Sequence, residues 1–433
     1  MQPTTLKHPP NLPKKSDTGR SGIYWSFIAF GIVGLSGIAL NQVVVNYFGL
    51  VALGRYNTLL AITLIGGQLG SASLHSSVLY HTPKASTDGH PTGQILVSAL
   101  KLTLASSFLT TFLIVGTGEI ILRTTGNTYY LNGLRAIALG LFFYPLNKTL
   151  TSHLNGLQRI RTFSVFFAGR FILLFATALC AAFVYENESL LPWTISISEL
   201  FIFVFLILSL RAEFHHKRRI QTFDGITKAH ILFGRRGLIG GVLLDLNTRI
   251  DILTLGIMSG SRSVGIYSIA SLFAEGLYQL VMVARYSFDP VVTKLHTTGQ
   301  TDELHKTIRL VKRRVYLLMT AIIAMANLVY LPFAQVLFGE ELARESRPIF
   351  AILTIGLLLT SGYVPFTNLP QQIGEPKKQS KLLASISLTN LLLNIALIPT
   401  FGPAGAAAAT ALSQISLIPY MRRLSAPTLG FRP

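Results

Sequence analysis

GLIGGVLLDLNTRIDILTLGIM, residues Gly237–Met258, is the stretch whose reading decides the fold. It is long enough to cross a bilayer once, since one helical crossing takes ~20 residues. Yet its middle carries Asp245, Arg249 and Asp251. A charge at the bilayer centre costs roughly 2.5–3.5 kcal/mol on insertion scales and points to function. Asp245 and Arg249, four residues apart, share a helix face and can pair. Asp251 lies about 120° around the helix from Asp245. Asn247 and Thr254 fall near Asp251, so the helix is polar on two sides and can present neither to lipid. It is expected inside a bundle, either as a buried ion pair holding neighbouring helices or as the lining of a transport pathway.

The rest of the chain is as apolar as this stretch requires. Of 433 residues, half are hydrophobic and 13% are charged, against about 25% charged in ordinary soluble domains. Mean hydropathy is +0.51. The expected class is an all-α polytopic membrane protein. The formal net charge of +19 fits Lys- and Arg-rich cytoplasmic loops better than nucleic-acid binding. The single cysteine, Cys180, excludes an intramolecular disulfide. No Walker loop, HExxH, GxSxG or zinc-type Cys/His spacing occurs, so neither an enzyme nor a cofactor or metal centre is expected.

Twelve apolar spans can be drawn, six on each side of a basic connector. The expected organisation is a cytoplasmic tail at 1–21, a first six-helix lobe at 22–210, the connector at 211–236, a second lobe at 237–421 and a cytoplasmic tail at 422–433. Alternating these spans from a cytoplasmic N-terminus puts 26 of the 37 basic residues on the inside. Only Arg55, Arg123, Arg135, Arg262, Arg344 and Arg347 fall outside, a bias that supports both count and orientation. Residues Val291–Leu310 mix apolar and charged side chains and are expected to lie along the inner interface. A weak internal repeat at an offset of 211 relates ALGRYN, Ala52–Asn57, to SVGIYS, Ser263–Ser268. A six-helix unit repeats in parallel, about an axis along the membrane normal.

Five basic residues fall within spans: Lys101, Lys148, Arg170, Arg249 and Arg285. All but Arg249 sit about 8–11 Å from the inner surface at ~1.5 Å per residue. Such side chains either snorkel to the interface or face one basic cavity open to the inside. The acidic set is Glu199, Asp245, Asp251 and Glu275, and none of it lies in the first five helices. Cations gathered on one cavity without carboxylates would attract an anion, and Arg suits phosphate oxygens.

Several stretches resemble a known family. NYFGLVALGRYNTLLAITLIGGQLG, Asn46–Gly70, and its counterpart DILTLGIMSGSRSVGIYSIASLFAEG, Asp251–Gly276, are similar to bacterial polysaccharide flippases of the Wzx type. So are DPVVTKLHTTGQTDELHKTIRLVKRR, VLFGEEL and NLLLNIALIPTFGPAGAAAATALS. Asp251, Gly265 and Tyr267 match residues of the second-half motif. The superfamily also holds MATE drug exporters and lipid II flippases. The resemblance implies two six-helix lobes around a central cavity and alternating access. It implies a substrate of undecaprenyl-diphosphate-linked repeat units, moved between leaflets of the bacterial inner membrane. Lipid II flippases carry a charged first helix and usually fourteen spans. The uncharged first helix and twelve spans here favour a surface-polysaccharide unit.

On this reading Lys101, Lys148, Arg170 and Arg285 draw in the diphosphate and Arg249 holds it at mid-depth. Asp245, Asp251 and Glu275 orient the arginine or bind a coupling cation, proton or sodium. Membrane lipids, a polysaccharide polymerase and glycosyltransferases are the expected partners, and nucleic acid is not. The alternatives are a MATE-like exporter of small organic compounds, which wants carboxylates on the cavity, and a ligase or polymerase, which wants a long catalytic outer loop. The orientation has a direct check. A cysteine placed at 211–236 in a Cys180→Ala background should resist an impermeant thiol reagent in intact spheroplasts, and labelling there would overturn the assignment.

Overall fold

The computed structural model describes residues 20–87, 91–214 and 223–431. All regular structure among them is helical: α1 Arg20–Phe48, α2 Leu50–Ser71, α3 Leu74–Thr87, α4 Thr92–Thr124, α5 Thr128–Ala136, α6 Ala138–Gly156, α7 Ile160–Phe183, α8 Leu191–Phe214, α9 Phe223–Thr297, α10 Thr301–Phe338, α11 Glu340–Thr360, α12 Leu369–Gln372 and α13 Pro376–Leu429. Eight stretches are long and apolar enough to cross a membrane, and the bent pair of α11 with Val364–Gln372 makes a ninth. Two of the eight, within α9 and α13, are broken into two arms at Gly260 and Gly402. Counting arms gives eleven apolar segments among the described residues, and α6, with Lys148 inside it, is a further helix of 19 residues. Helices suit a bilayer because each satisfies its own backbone hydrogen bonds where water is absent.

Single glycines close two of the hairpins. Gly49, between α1 and α2, has φ 85° and ψ 174°, and Gly260, between the arms of α9, has φ 79° and ψ 176°. This region of backbone space is essentially open to glycine alone. The two residues are 211 apart, the offset of the repeat. A second equivalence follows it. A Cβ on Gly54 would stand 1.7 Å from the carbonyl oxygen of Ser261, and one on Gly265 would stand 2.4 Å from that of Leu50. Ser261 is the repeat partner of Leu50, and Gly265 that of Gly54. The contact is therefore reciprocal, as across a two-fold axis. Tyr56 and Tyr267, the next equivalent pair, are both fully buried.

The cores follow the same division. Leu53, Tyr56, Leu141, Ala178 and Ile195 pack in the first half, and Leu255, Tyr267, Phe350 and Ala406 in the second. Ile269 reaches into the first cluster and Ala61 into the second.

Three local expectations are corrected. The second of the twelve apolar spans, expected to run through Tyr56–Tyr80, is broken at Ala72 and Ser73, both with positive φ. Much of the connector is helix, since α8 runs to Phe214 and α9 starts at Phe223; HHKRR, residues 215–219, and the tail at 1–19 lie outside the described residues. Val291–Leu310 is not one interfacial helix. It is the end of α9 and the start of α10, and Val292, Leu304 and Ile308 are buried against Tyr363, Phe366 and Leu382.

The reciprocal crossing leaves no room for a methyl group. Gly54→Ala and Gly265→Ala should each cost about 1–3 kcal/mol, the usual penalty of overpacking, read as a lower unfolding temperature in detergent. Gly34→Ala is the control, because a Cβ there meets nothing within 4 Å. Gly54→Ala unfolding with wild-type stability would contradict the close crossing.

Candidate functional site

The break in the second span builds the site. Ala72 (φ 45°) and Ser73 (φ 57°) are consecutive non-glycine residues in the left-handed region, and each costs of order 1–3 kcal/mol there. The break splits α2 from α3 beside a cavity of about 330 Å³ lined by Gln68, Ser73, His75, Ser76, Lys148, Gly237 and Gly241. These residues come from α2, α3, α6 and the first arm of α9, so the cavity lies between the two halves. Gly241 allows the approach of α9, since a Cβ on it would stand 2.3 Å from Gln68 Nε2.

Lys148 donates to Gln68 Oε1. His75 joins two serines, with Nδ1 at 3.1 Å from Ser71 Oγ and Nε2 at 3.0 Å from Ser76 Oγ. The amides of the first turn of α3 open at the same break and have no acceptor within their own helix. A lysine, hydroxyls and a helix start make the surroundings favourable to an anion.

The other predicted cations are placed differently. Arg170 Nε is 2.7 Å from Glu199 Oε1, with side chains 17% and 5% exposed. Asn147 Nδ2 donates to Glu199 Oε2 at 2.8 Å, and the Arg170 guanidinium stacks 4.7 Å from the Tyr144 ring centroid. Arg170 thus has a carboxylate partner from the sixth crossing and belongs to a closed polar network. Lys101 is exposed on α4 and Arg285 half-buried on the second arm of α9. Neither lines the cavity.

In the organising stretch, Arg249 stands 3.6 Å from Glu275 Oε1, with side chains 28% and 53% exposed. Its partner comes from the other arm of α9. The side chain of Asp245, the partner expected from spacing, lies outside the described residues. Asp251 is buried. Its Oδ2 accepts from the Tyr267 hydroxyl and its Oδ1 from the Ile252 amide at 2.9 Å. The Tyr267 hydroxyl also lies 3.3 Å from Thr410 Oγ1. Two residues of the second-half motif therefore form one hydrogen-bonded pair linking α9 to α13.

Gln68, Ser73 and His75 line the cavity without being among the expected site residues. The signal available was SASLHSS, Ser71–Ser77, a polar run inside an apolar span. The structure gathers no group of three metal-ligating side chains among the described residues.

Residues 90–345 match the sequence model of a family described as polysaccharide biosynthesis protein. No curated protein matches the chain. Among solved structures, the lipid II flippase MurJ in an inward closed conformation superposes with a TM-score of 0.73 at 17% identity, covering 94% of this chain and 87% of that one. An inward-facing multidrug resistance MATE family transporter of the MOP superfamily gives 0.74 at 13% identity, covering 93% and 98%. A MOP superfamily transporter from Pyrococcus furiosus gives 0.63 at 15% identity, covering 95% and 96%. At these identities the likeness is one of fold: twelve or so membrane helices in two six-helix lobes.

The two ion pairs should separate in a stability assay. Breaking a buried pair by removing one partner costs about 3–5 kcal/mol, whereas an exposed pair contributes about 0–1 kcal/mol. Glu199→Ala should therefore lower the unfolding temperature in detergent sharply, and Glu275→Ala should barely move it. Equal effects would show that the two pairs do the same structural work.

Proposed function

This chain belongs to the polysaccharide biosynthesis protein family, and on that premise we propose that it flips undecaprenyl-diphosphate-linked oligosaccharide repeat units. The direction is from the inner to the outer leaflet of the bacterial inner membrane, for O-antigen, capsule or exopolysaccharide assembly. The movement is alternating access of the 22–210 and 237–421 lobes about the 211–236 connector, with the 1–21 and 422–433 tails in the cytoplasm. The observation that carries the reading is Lys148 on a polar cavity formed by both halves. An anion bound there touches both moving parts.

Within this reading the diphosphate enters along Lys101, Arg285 and Lys148. Arg170, engaged with Glu199, lends its charge from behind. Arg249 then takes the diphosphate at mid-depth, the anion replacing Glu275 as its partner. The planar guanidinium suits two-pronged contact with phosphate oxygens. The polyprenyl tail stays in lipid between the lobes, and the sugars occupy the cavity. Asp251, Tyr267 and Thr410 form the place for a coupling cation, proton or sodium, with Asp245 beside Arg249. The protein performs no covalent step; a polymerase and glycosyltransferases act before and after it.

A second reading, a MATE-like exporter of small organic compounds, draws on a fold likeness as close as that to the lipid II flippase. It would place the cation on Glu275 and Asp251. One experiment separates the two. Surface-polysaccharide recovery in a flippase-null strain should be restored by the wild-type gene, fall about tenfold or more with Lys148→Gln, and be largely kept with Lys148→Arg. An Arg249→Ala/Glu275→Gln variant should accumulate normally and be inactive. No recovery by the wild type, together with raised resistance to cationic compounds, would favour the exporter.

A further inference from the structure

The cations at the glycine-turn end of the bundle are almost all neutralised within the protein. Arg55 meets Glu188 at 3.1 Å, and Arg123 and Arg135 both engage Glu119. Arg262 meets Glu345 at 2.8 Å and Glu341 at 3.6 Å, and Arg344 meets Glu340 at 2.6 Å. Arg347 is the remaining one, and among the described residues it has no carboxylate partner. It lines, with Arg344, Leu331, Pro348 and Ala351, a groove of about 570 Å³ between α10 and α11.

The position of this groove is specific. Arg347 is seven residues into α11, so it stands about 10 Å below the start of that helix at ~1.5 Å per residue. Below it, α11 presents Ile355 and Leu359, and α10 presents Leu328, all at least half exposed. From Arg347 to Leu359 is about 18 Å along the helix, close to one leaflet of a hydrocarbon core ~30 Å thick. The groove is cationic at headgroup depth and apolar for the length of one leaflet.

We propose that this groove holds one anionic diacyl phospholipid, its phosphate on Arg347 and Arg344 and an acyl chain along the α10–α11 seam. Among the described residues no carboxylate pairs with Arg347, and the phosphate of such a lipid supplies an anion at the right depth. The length of the apolar seam selects a leaflet-length acyl chain over an undecaprenyl chain, which is far longer than one leaflet is thick. The site is distinct from the Lys148 cavity and does not depend on the transport reading.

The test uses the purified full-length chain in neutral detergent, titrated with phosphatidylglycerol or phosphatidylcholine and read by native mass spectrometry. One phosphatidylglycerol should be retained in preference to phosphatidylcholine. Arg347→Gln should weaken it about tenfold, the scale of one charge-assisted contact. Arg123→Gln removes the same charge from the same end and should leave binding unchanged. Arg347 is exposed, so the lipid-free unfolding temperature of Arg347→Gln should equal that of the wild type. Equal retention by Arg347→Gln and wild type, or equal weakening by both substitutions, would overturn the site. Displacement of phosphatidylglycerol by undecaprenyl diphosphate at equal concentration would overturn its occupant.

Discussion

The close crossing of α2 and the second arm of α9 is the constraint on which the other arrangements rest. Two carbonyl oxygens, of Leu50 and Ser261, occupy the space where side chains of Gly54 and Gly265 would otherwise be. Small residues at a helix crossing let backbones approach in lipid, where no hydrophobic effect pulls helices together. The reciprocity of the contact fixes the relation of the halves about one axis. It also sets the α9 hairpin beside α2, and the cavity at Gln68, Ser73 and Gly241 lies between α2 and the first arm of α9.

Charges inside the bundle are divided by exposure. Arg170 and Glu199 are closed off with Asn147 and Tyr144 around them. In that setting each charge requires the other, because a stranded buried ion loses its hydration without compensation. Arg249 and Glu275 are more open and farther apart, so each keeps part of its hydration and depends less on the other. Asp251 takes a third form, a carboxylate held by a tyrosine hydroxyl and a backbone amide. The same residue types are thus tightly paired in one place and loosely paired in another, and burial separates the cases.

Much of this was legible in the sequence. The crossings, the repeat at an offset of 211 and the likeness to polysaccharide flippases all came from local pattern: apolar runs about 20 residues long, a Gly-x-Tyr recurring at equivalent turns, and motif spellings. The charged centre of Gly237–Met258 pointed to a helix that is not lipid-facing, and Arg249 does pair across helices. The break at Ala72 and Ser73 was not legible, because neither residue is a glycine and neither ordinarily adopts positive φ.

What the sequence determined by itself was an all-helical chain of many apolar spans, since hydropathy and helix geometry act within one segment. What only the tertiary structure decided was partnership. Arg170 found Glu199 on the next crossing, outside the periodicity of its own helix, Arg249 found Glu275 across a hairpin, and Lys148 reached a cavity shared with α9. Spacing along one helix can say that Asp245 and Arg249 share a face. Which neighbouring helix supplies a carboxylate depends on how all the helices pack, because electrostatic partners in a low-dielectric interior are chosen by distance through space.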